Sequence, residues 1–335
     1  MNEFSGSFPS TRLRRLRRGQ PIRDLVRENR LSSFDLIQSV IVRSDQDDRI
    51  IPAMPNVYRS TPDEAAAMAE RCMKAGIPAM ALFPYTSQAD RDPQGSRAYE
   101  HDNLMGQAAR AIKEAVPEMV IIADVALDPY TDHGHDGLMS DEGVILNDPT
   151  VEALCRQALV LAEVGYDIVA PSDMMDGRIG TIRQALDEAG QQDVGILSYS
   201  VKYASAFYGP YRDAVGSRGA LKGDKRTYQM DPGNAEEGLR EAALDIKEGA
   251  DMLMIKPGMA YLDMVTRVKQ TFGVPTIVFQ VSGEYAMLAS AAEKGAFDFD
   301  TALMESLMAF KRAGADGIIT YAAEHAAKLT RQSAI

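Results

Sequence analysis

From residue 36 onward, short runs rich in Val, Ile, Leu and Met alternate with longer stretches of helical periodicity. The runs are LIQSVIVRS (36–44), PAMALFPY (78–85), MVIIADVAL (119–127), DIVAPSDMM (167–175), VGILSYSVKY (194–203), DMLMIKPG (251–258), PTIVFQVSG (275–283) and DGIITYAA (316–323). Near-continuous apolar runs of this length predict strands buried on both faces, as in a parallel sheet. Between them, TPDEAAAMAERCMKAG, DPTVEALCRQALVLAEVG, NAEEGLREAALDIKEGA and TALMESLMAFKRAGA repeat apolar positions at helical spacing, several opening on Asp, Asn or Thr and closing on Gly. Those are helix caps and stops. Eight strands alternating with helices predict a (β/α)8 TIM barrel. An open doubly wound sheet is the competing architecture, but no G-x-G-x-x-G follows the first strand.

A barrel gathers its reactive side chains at the C-terminal ends of its strands. Asp124 ends the third run, Ser172 and Asp173 the fourth, Lys202 the fifth, Lys256 the sixth, Ser282 the seventh and Tyr321 the eighth. Lys202 and Lys256 would stand on adjacent strands about 4.8 Å apart. With their ammonium groups about 6 Å apart and an effective dielectric near ~20, they repel by roughly 3 kcal/mol, or about two pKa units. Burial pushes the same way. A neutral amine attacks a carbonyl, so the pair has the makings of a Schiff-base site. The alternative is that one or both lysines pair with a carboxylate such as Asp124 or Asp173 and serve structure.

Residues 204–234 make a connection far longer than usual for a barrel, mixing glycines, tyrosines and several Arg and Lys. Aromatic bulk can cover a site and cations can hold an anion, so the segment reads as an active-site lid. The segment DVALDPYTDHGHDG (124–137) concentrates Asp124, Asp128, Asp132 and Asp136 with His133 and His135. It is a metal site, an acidic loop, or the outline of a metal site with changed ligands. The two histidines flank a glycine, which suits a turn with local hydrogen bonds better than metal ligation.

Composition narrows the setting. At 335 residues, 45% apolar and 25% charged, the chain is large enough to bury a substantial core. A net charge of −12 argues against nucleic acid as a partner. The exception is TRLRRLRRGQPIRDLVREN, with seven arginines. It reads either as an arm for nucleic acid or anionic lipid, or, the favoured reading, as an arm lying on the acidic surface of a sister subunit. No apolar signal region follows it and no stretch is long enough to span a membrane, so no membrane partner and a cytoplasmic location are expected. Cys72 and Cys155 sit in helical stretches without partner spacing and read as buried, reduced thiols.

Long ordered motifs now resemble one family, 5-aminolevulinate dehydratase (porphobilinogen synthase). They run from TRLRRLRR and LVREN through ALFP, PSDMMDGRIG, YSVKYASAFYGPYRDAVGS, YQMDP, MIKPGMAYLD and QVSGEYAM to FKRAGADGIITY. The resemblance implies a lyase that condenses two molecules of 5-aminolevulinate to porphobilinogen with loss of two waters, early in the synthesis of heme, chlorophyll and cobalamin. It implies an N-terminal arm (1–35) on a catalytic barrel (36–335), the arms embracing neighbours in dimers that build a homo-octamer. Lys256 matches the lysine holding the first substrate and Lys202 the second. Ser282 and Tyr321 match the clamp for the second substrate's carboxylate, and Arg212, Lys225 and Gln229 the clamp for the first. Relatives often carry arginine at the Lys225 position, so a bidentate fork is lost there. Tyr211 matches a ring packed over substrate, and Asp124 an acid placed for proton transfer.

In zinc-dependent members three cysteines occupy the positions of Ala126, Asp128 and Asp136. Without sulfur no zinc is expected. Asp128 and Asp136 would suit a weakly held hard cation, Mg2+ or a monovalent ion, or the substrate amino group. Glu241 matches a carboxylate of an allosteric Mg2+ site in the magnesium-responsive branch. Two other readings compete: a class I aldolase, which needs one imine lysine, and a barrel kept as a non-catalytic binding or scaffolding subunit.

Overall fold

The computed structural model describes residues 6–216, 221 and 223–332. Eight parallel strands close into a barrel in sequence order. They are β1 (Leu36–Val42), β2 (Ala79–Pro84), β3 (Val120–Val125), β4 (Ile168–Pro171), β5 (Gly195–Lys202), β6 (Met252–Lys256), β7 (Thr276–Phe279) and β8 (Gly317–Thr320). The ring closes where Leu36 of β1 pairs with Ile318 of β8. Each predicted run contains one strand, and nearly every strand residue is buried, as expected for a barrel covered by helices.

The observed strands are shorter than the apolar runs. β4 stops at Pro171, β7 at Phe279 and β8 at Thr320, so Ser172, Asp173, Ser282 and Tyr321 lie just past the ladder rather than in it. The reason is physical: apolar residues continue into the buried mouth of the barrel, while ladder hydrogen bonds end where the strands splay. Ser282 opens a helix instead.

Helices α1 (Gln20–Leu25), α2 (Pro62–Lys74), α3 (Leu104–Ala115), α4 (Asn147–Glu163), α5 (Arg178–Glu188) and α6 (Gly209–Ala214) come first along the chain. α7 (Glu236–Glu248), α8 (Leu262–Phe272), α9 (Ser282–Glu293), α10 (Phe299–Ala313) and α11 (Ala323–Gln332) follow. Of the expected N-caps Thr61 operates, whereas α4 and α7 have no side-chain cap and α10 is capped by Asp298 rather than Thr301. The Glu64 N–H donates to the Thr61 hydroxyl at 3.2 Å while the Thr61 N–H donates to the Glu64 carboxylate at 2.9 Å, a reciprocal cap worth about 1 kcal/mol. α10 ends at Gly314, whose φ of 113° suits glycine alone. Cys72 and Cys155 are buried free thiols, as read.

One irregularity decides how the strand-end lysines meet. Ser198 pairs with Leu253, but the next recorded pair is Val201 with Ile255, so β5 carries one extra residue against β6. A regular ladder from Ser198 would set Val201 against Lys256. The bulge instead sets Lys202 directly opposite Lys256.

Residues ahead of β1 form the arm. Neither its 3-10 turn (Leu13–Arg17) nor α1 buries a residue, and Phe8, Leu13, Leu25 and Phe34 are all exposed. Asp35 anchors its base to Lys311 of α10 at 2.7 Å. Among the described residues no helix is long and apolar enough to cross a membrane.

Candidate active site

At the C-terminal mouth of the barrel a cavity of about 30 Å3 is lined by Asp128, Asp136, Ser172, Lys202, Tyr208, Tyr211, Arg212, Lys225, Gln229 and Lys256. That is room for about one water. Within the lid, a 3-10 turn (Ala206–Tyr208) leads into α6, and Tyr203 pairs with Met230 to close the segment at its base. Residues 217–220 and 222 of the expected lid lie outside the described residues. Two arginines that motif reading missed hold the C-terminal end of α6. Arg59 donates to the carbonyls of Asp213 (2.6 Å) and Ala214 (2.7 Å), and Arg91 to those of Val215 (2.7 Å) and Asp128 (3.2 Å).

Lys256 stands at the end of β6 inside a cage of rings. Its Nζ lies 4.9 Å from the ring centre of Tyr199, 5.4 Å from Tyr208, 5.2 Å from Tyr211 and 4.9 Å from Phe279. Burial, and after it the Lys202 ammonium, lowers the Lys256 pKa to about 7 against the opposing pull of Asp124. Charge repulsion between the lysines, foremost in the sequence argument, is therefore second to desolvation. Burial therefore favours the neutral, nucleophilic form of the Lys256 amine far more than in a free lysine.

Lys202 is held differently. Its Nζ donates to the Ser172 carbonyl and lies 3.6 Å from Asp136 Oδ1. The carboxylate it pairs with is Asp136 rather than Asp124 or Asp173. Asp124, buried at the end of β3, has its carboxyl pushed up to about 6 by burial, against the Lys256 charge that favours ionisation. Its Oδ1 is buried without a hydrogen-bond partner. A carboxyl that titrates near neutrality with a free oxygen can take or give a proton.

The acidic segment folds as a turn over this mouth. The His135 N–H donates to His133 Nδ1 at 3.3 Å, and His135 Nδ1 lies 3.0 Å from the Tyr228 hydroxyl of the lid, which matches the local role expected of these histidines. Among the described residues no group of three His, Cys, Asp or Glu side chains is arranged to hold a metal. The expected pair of carboxylates, Asp128 and Asp136, is bridged by Lys225, whose Nζ lies 3.1 Å from Asp128 Oδ2 and 2.8 Å from Asp136 Oδ2. Burial would push the Asp136 carboxyl up, but the charges of Lys202 and Lys225 outweigh it and hold Asp136 well below the usual carboxylate range. Lys225 was expected in a clamp for substrate carboxylate. It sits on these aspartates because two buried carboxylates require a counter-charge. A cation bound there would have to displace an ammonium group already in place.

Of the other expected residues, Tyr211, Arg212 and Gln229 line the cavity with the lysines. Ser282 and Tyr321 do not. Ser282, first residue of α9, donates to the Phe207 carbonyl at 3.5 Å. Tyr321 packs 6.0 Å from the ring of Phe279, and its buried hydroxyl has no hydrogen-bond partner. Glu241 lies on α7 against a separate cavity of about 920 Å3 whose lining includes Asp176, Glu237, Tyr228 and Gln229. The structure does not bring it to the lysines.

A buried ionic network behind Lys202 also escaped motif reading. Arg178, the first residue of α5, lies 3.5 Å from Asp173 and 3.4 Å from Asp245, and donates to the Ser198 hydroxyl at 3.2 Å. The Arg in PSDMMDGRIG was legible only as a motif letter, since its partners come from three other elements.

A profile of the family described as Delta-aminolevulinic acid dehydratase matches residues 10–329. The Delta-aminolevulinic acid dehydratase of Bradyrhizobium diazoefficiens is 58% identical over 96% of this chain and 91% of that protein. The one from Rhodobacter capsulatus is 54% identical over 98% and 99%. The crystal structure of the Toxoplasma gondii enzyme in complex with the reaction product porphobilinogen superposes with a TM-score of 0.93 at 45% identity, covering 95% of this chain and 91% of that one. On its barrel and its relatives alike, the chain belongs to the delta-aminolevulinic acid dehydratase family.

Proposed function

We propose that the chain condenses two molecules of 5-aminolevulinate to porphobilinogen with loss of two waters by holding each substrate as an imine, one on Lys256 and one on Lys202. The observation that carries this reading is the bulged register that sets the lysines opposite each other, with Lys256 desolvated among four rings. The neutral Lys256 amine attacks the ketone of the first substrate, and loss of water gives the protonated imine. That cation acidifies the neighbouring C–H, so a base can remove its proton and leave a carbon nucleophile. Asp124, titrating near neutrality with one oxygen free, is the group placed for those transfers. An aldolase needs one imine lysine, whereas this mouth holds two.

We assign Arg212 and Gln229 to the carboxylate of one substrate, and Ser282 and Tyr321 to that of the other. The partnerless Tyr321 hydroxyl supports a role for it as donor. Lys225 joins the first clamp when the substrate ammonium takes its place on Asp128 and Asp136. This exchange couples lid movement to substrate charge.

The Asp128 and Asp136 oxygens, already bridged by Lys225 in a turn without sulfur, suit neither zinc nor a tightly held metal, which supports the branch of the family without zinc-binding cysteines; a monovalent ion or Mg2+ would compete with the lysine. Glu241 is a different case. Burial, then the charges of Asp245, Asp176 and Glu237, push its carboxyl up despite Arg178, and that excess of negative oxygen would suit a hydrated Mg2+ acting at a distance. We assign the arm to contacts between subunits of a homo-octamer, where its exposed apolar side chains would be covered.

The test is pyrrole formation from 5-aminolevulinate after chelation, then with Mg2+, K+ or Zn2+ restored. Activity without zinc is expected, and Mg2+ should raise both the rate and the melting temperature of the wild type but not of Glu241→Ala. A strict zinc requirement would contradict the reading of the aspartates. No pyrrole under any condition would favour a non-catalytic barrel.

A further inference from the structure

Glu284 is wholly buried, lies outside the cavity and plays no part in the chemistry above. It sits in the first turn of α9, where its Oε2 accepts the Val281 N–H at 2.9 Å, the usual inward reach of a carboxylate at a helix start. Its remaining bonds leave the helix. Oε1 accepts the Met259 N–H at 2.6 Å and Oε2 the Gly258 N–H at 3.3 Å, both in the loop that leaves Lys256. One side chain thus ties the loop after β6 to the turn that delivers Ser282.

The backbone of Lys256 is fixed from the other side as well. Its carbonyl accepts the Tyr203 N–H at 3.0 Å and the Tyr208 hydroxyl at 3.2 Å. Gly258 presses so closely on its neighbours that a methyl group there would lie 2.7 Å from Phe310 and from Val278. The loop therefore has one seat, and Glu284 holds the N–H groups that face away from the barrel.

A carboxylate is the side chain this arrangement demands. Three N–H donors converge on two oxygens, both acceptors. Glutamine would offer one oxygen and an NH2 group, leaving a donor facing a donor. Keeping an acid there costs desolvation, which pushes the Glu284 carboxyl up to about 7 although the backbone donors pull it down.

We infer that Glu284 is a positioning residue that sets Lys256 in attack geometry and fixes its place relative to Ser282. The inference rests on Lys256 being an imine-forming lysine. A misplacement of about 1 Å can cost on the order of 10²-fold in rate without touching the reacting groups.

The experiment compares full-length wild type and Glu284→Gln by borohydride trapping with 5-aminolevulinate, following adducts on the Lys256 and Lys202 peptides separately by mass spectrometry. Trapping at Lys256 should slow by about tenfold or more while Lys202 stays within about twofold, with kcat falling in step with Lys256. Equal slowing at both lysines, or no change at either, would overturn the inference, because general loosening of the fold does not single out one lysine. Should Glu284→Gln fail to fold, amide exchange in the wild type decides. The Gly258 and Met259 amides are expected to exchange as slowly as those of β6, and exchange at exposed-loop rates would overturn it. Absence of any Lys256 adduct in the wild type would instead sink the imine reading itself.

Discussion

Replacing Lys256 with alanine is expected to lower kcat/KM by roughly 10⁴-fold or more, the scale of losing a covalent nucleophile, while the fold survives. Neither of the other two lysines lining this cavity stands where Lys256 does. Lys202 is held by the Ser172 carbonyl and Asp136, and Lys225 is committed to Asp128 and Asp136. Removing a buried ammonium from among four rings also relieves a desolvation cost, so the variant should unfold no earlier than the wild type. Lys256→Arg separates covalent from electrostatic roles: it keeps the charge but forms no imine, and should be as inactive as alanine. Steady-state rates together with near-ultraviolet circular dichroism check both points. A loss smaller than about tenfold in a folded variant would show that Lys256 is not the nucleophile.

Arg178→Met is expected to cost about 3–5 kcal/mol of stability, the largest structural effect of any single change considered. Methionine fills similar volume, so the cost arises from charge rather than from a cavity. It leaves Asp173 and Asp245 buried without their cation, and Ser198, which donates to Asp245 at 2.6 Å, loses its second partner. The turn at risk is the one that presents the Ser172 carbonyl to Lys202. Asp173 Oδ1 holds it by accepting the Met175 N–H at 2.7 Å, across Met174, whose φ of 71° is unfavourable for a residue other than glycine. Even with Arg178 present, burial pushes the Asp173 carboxyl up to about 6. Without the arginine the Asp173 carboxyl is pushed further up in the folded protein, so the variant loses stability as pH rises through that folded-state value. Its deficit against the wild type should therefore be larger at about pH 8 than at about pH 5. Urea unfolding at a fixed protein concentration measures it. A deficit below about 1 kcal/mol would mean that the network is held open to water.

The barrel was legible because its signal is local and repeated: each apolar run holds one strand, and the caps lie where Thr61 and Gly314 fall. The lysine pair was legible because adjacency of consecutive parallel strands follows from the topology. What decides their facing was not. The extra residue in β5 between Ser198 and Val201 has no sequence mark, since a bulge arises from how two strands compromise over register. The seat of Lys225 was missed for a related reason. A long flexible cation goes to the nearest buried carboxylates, and that pairing spans 97 residues to Asp128. Arg178 and Glu284 read as polar letters within motifs. Their meaning depends on partners drawn from other elements, which only the closed barrel assembles. Tyr199 and Phe279, two walls of the Lys256 cage, were counted as strand residues, because a buried aromatic in an apolar run looks the same whether it fills a core or surrounds an amine.

The claim that two lysines share the condensation is tested most directly by reducing the wild-type enzyme with sodium borohydride in the presence of 5-aminolevulinate, from about pH 6 to about pH 9, and mapping the adducts by peptide mass. The account predicts stable adducts on both Lys256 and Lys202, with the Lys256 yield rising through about pH 7 as its ammonium loses a proton. Finding both lysines unmodified across that range while the enzyme still makes porphobilinogen would contradict it.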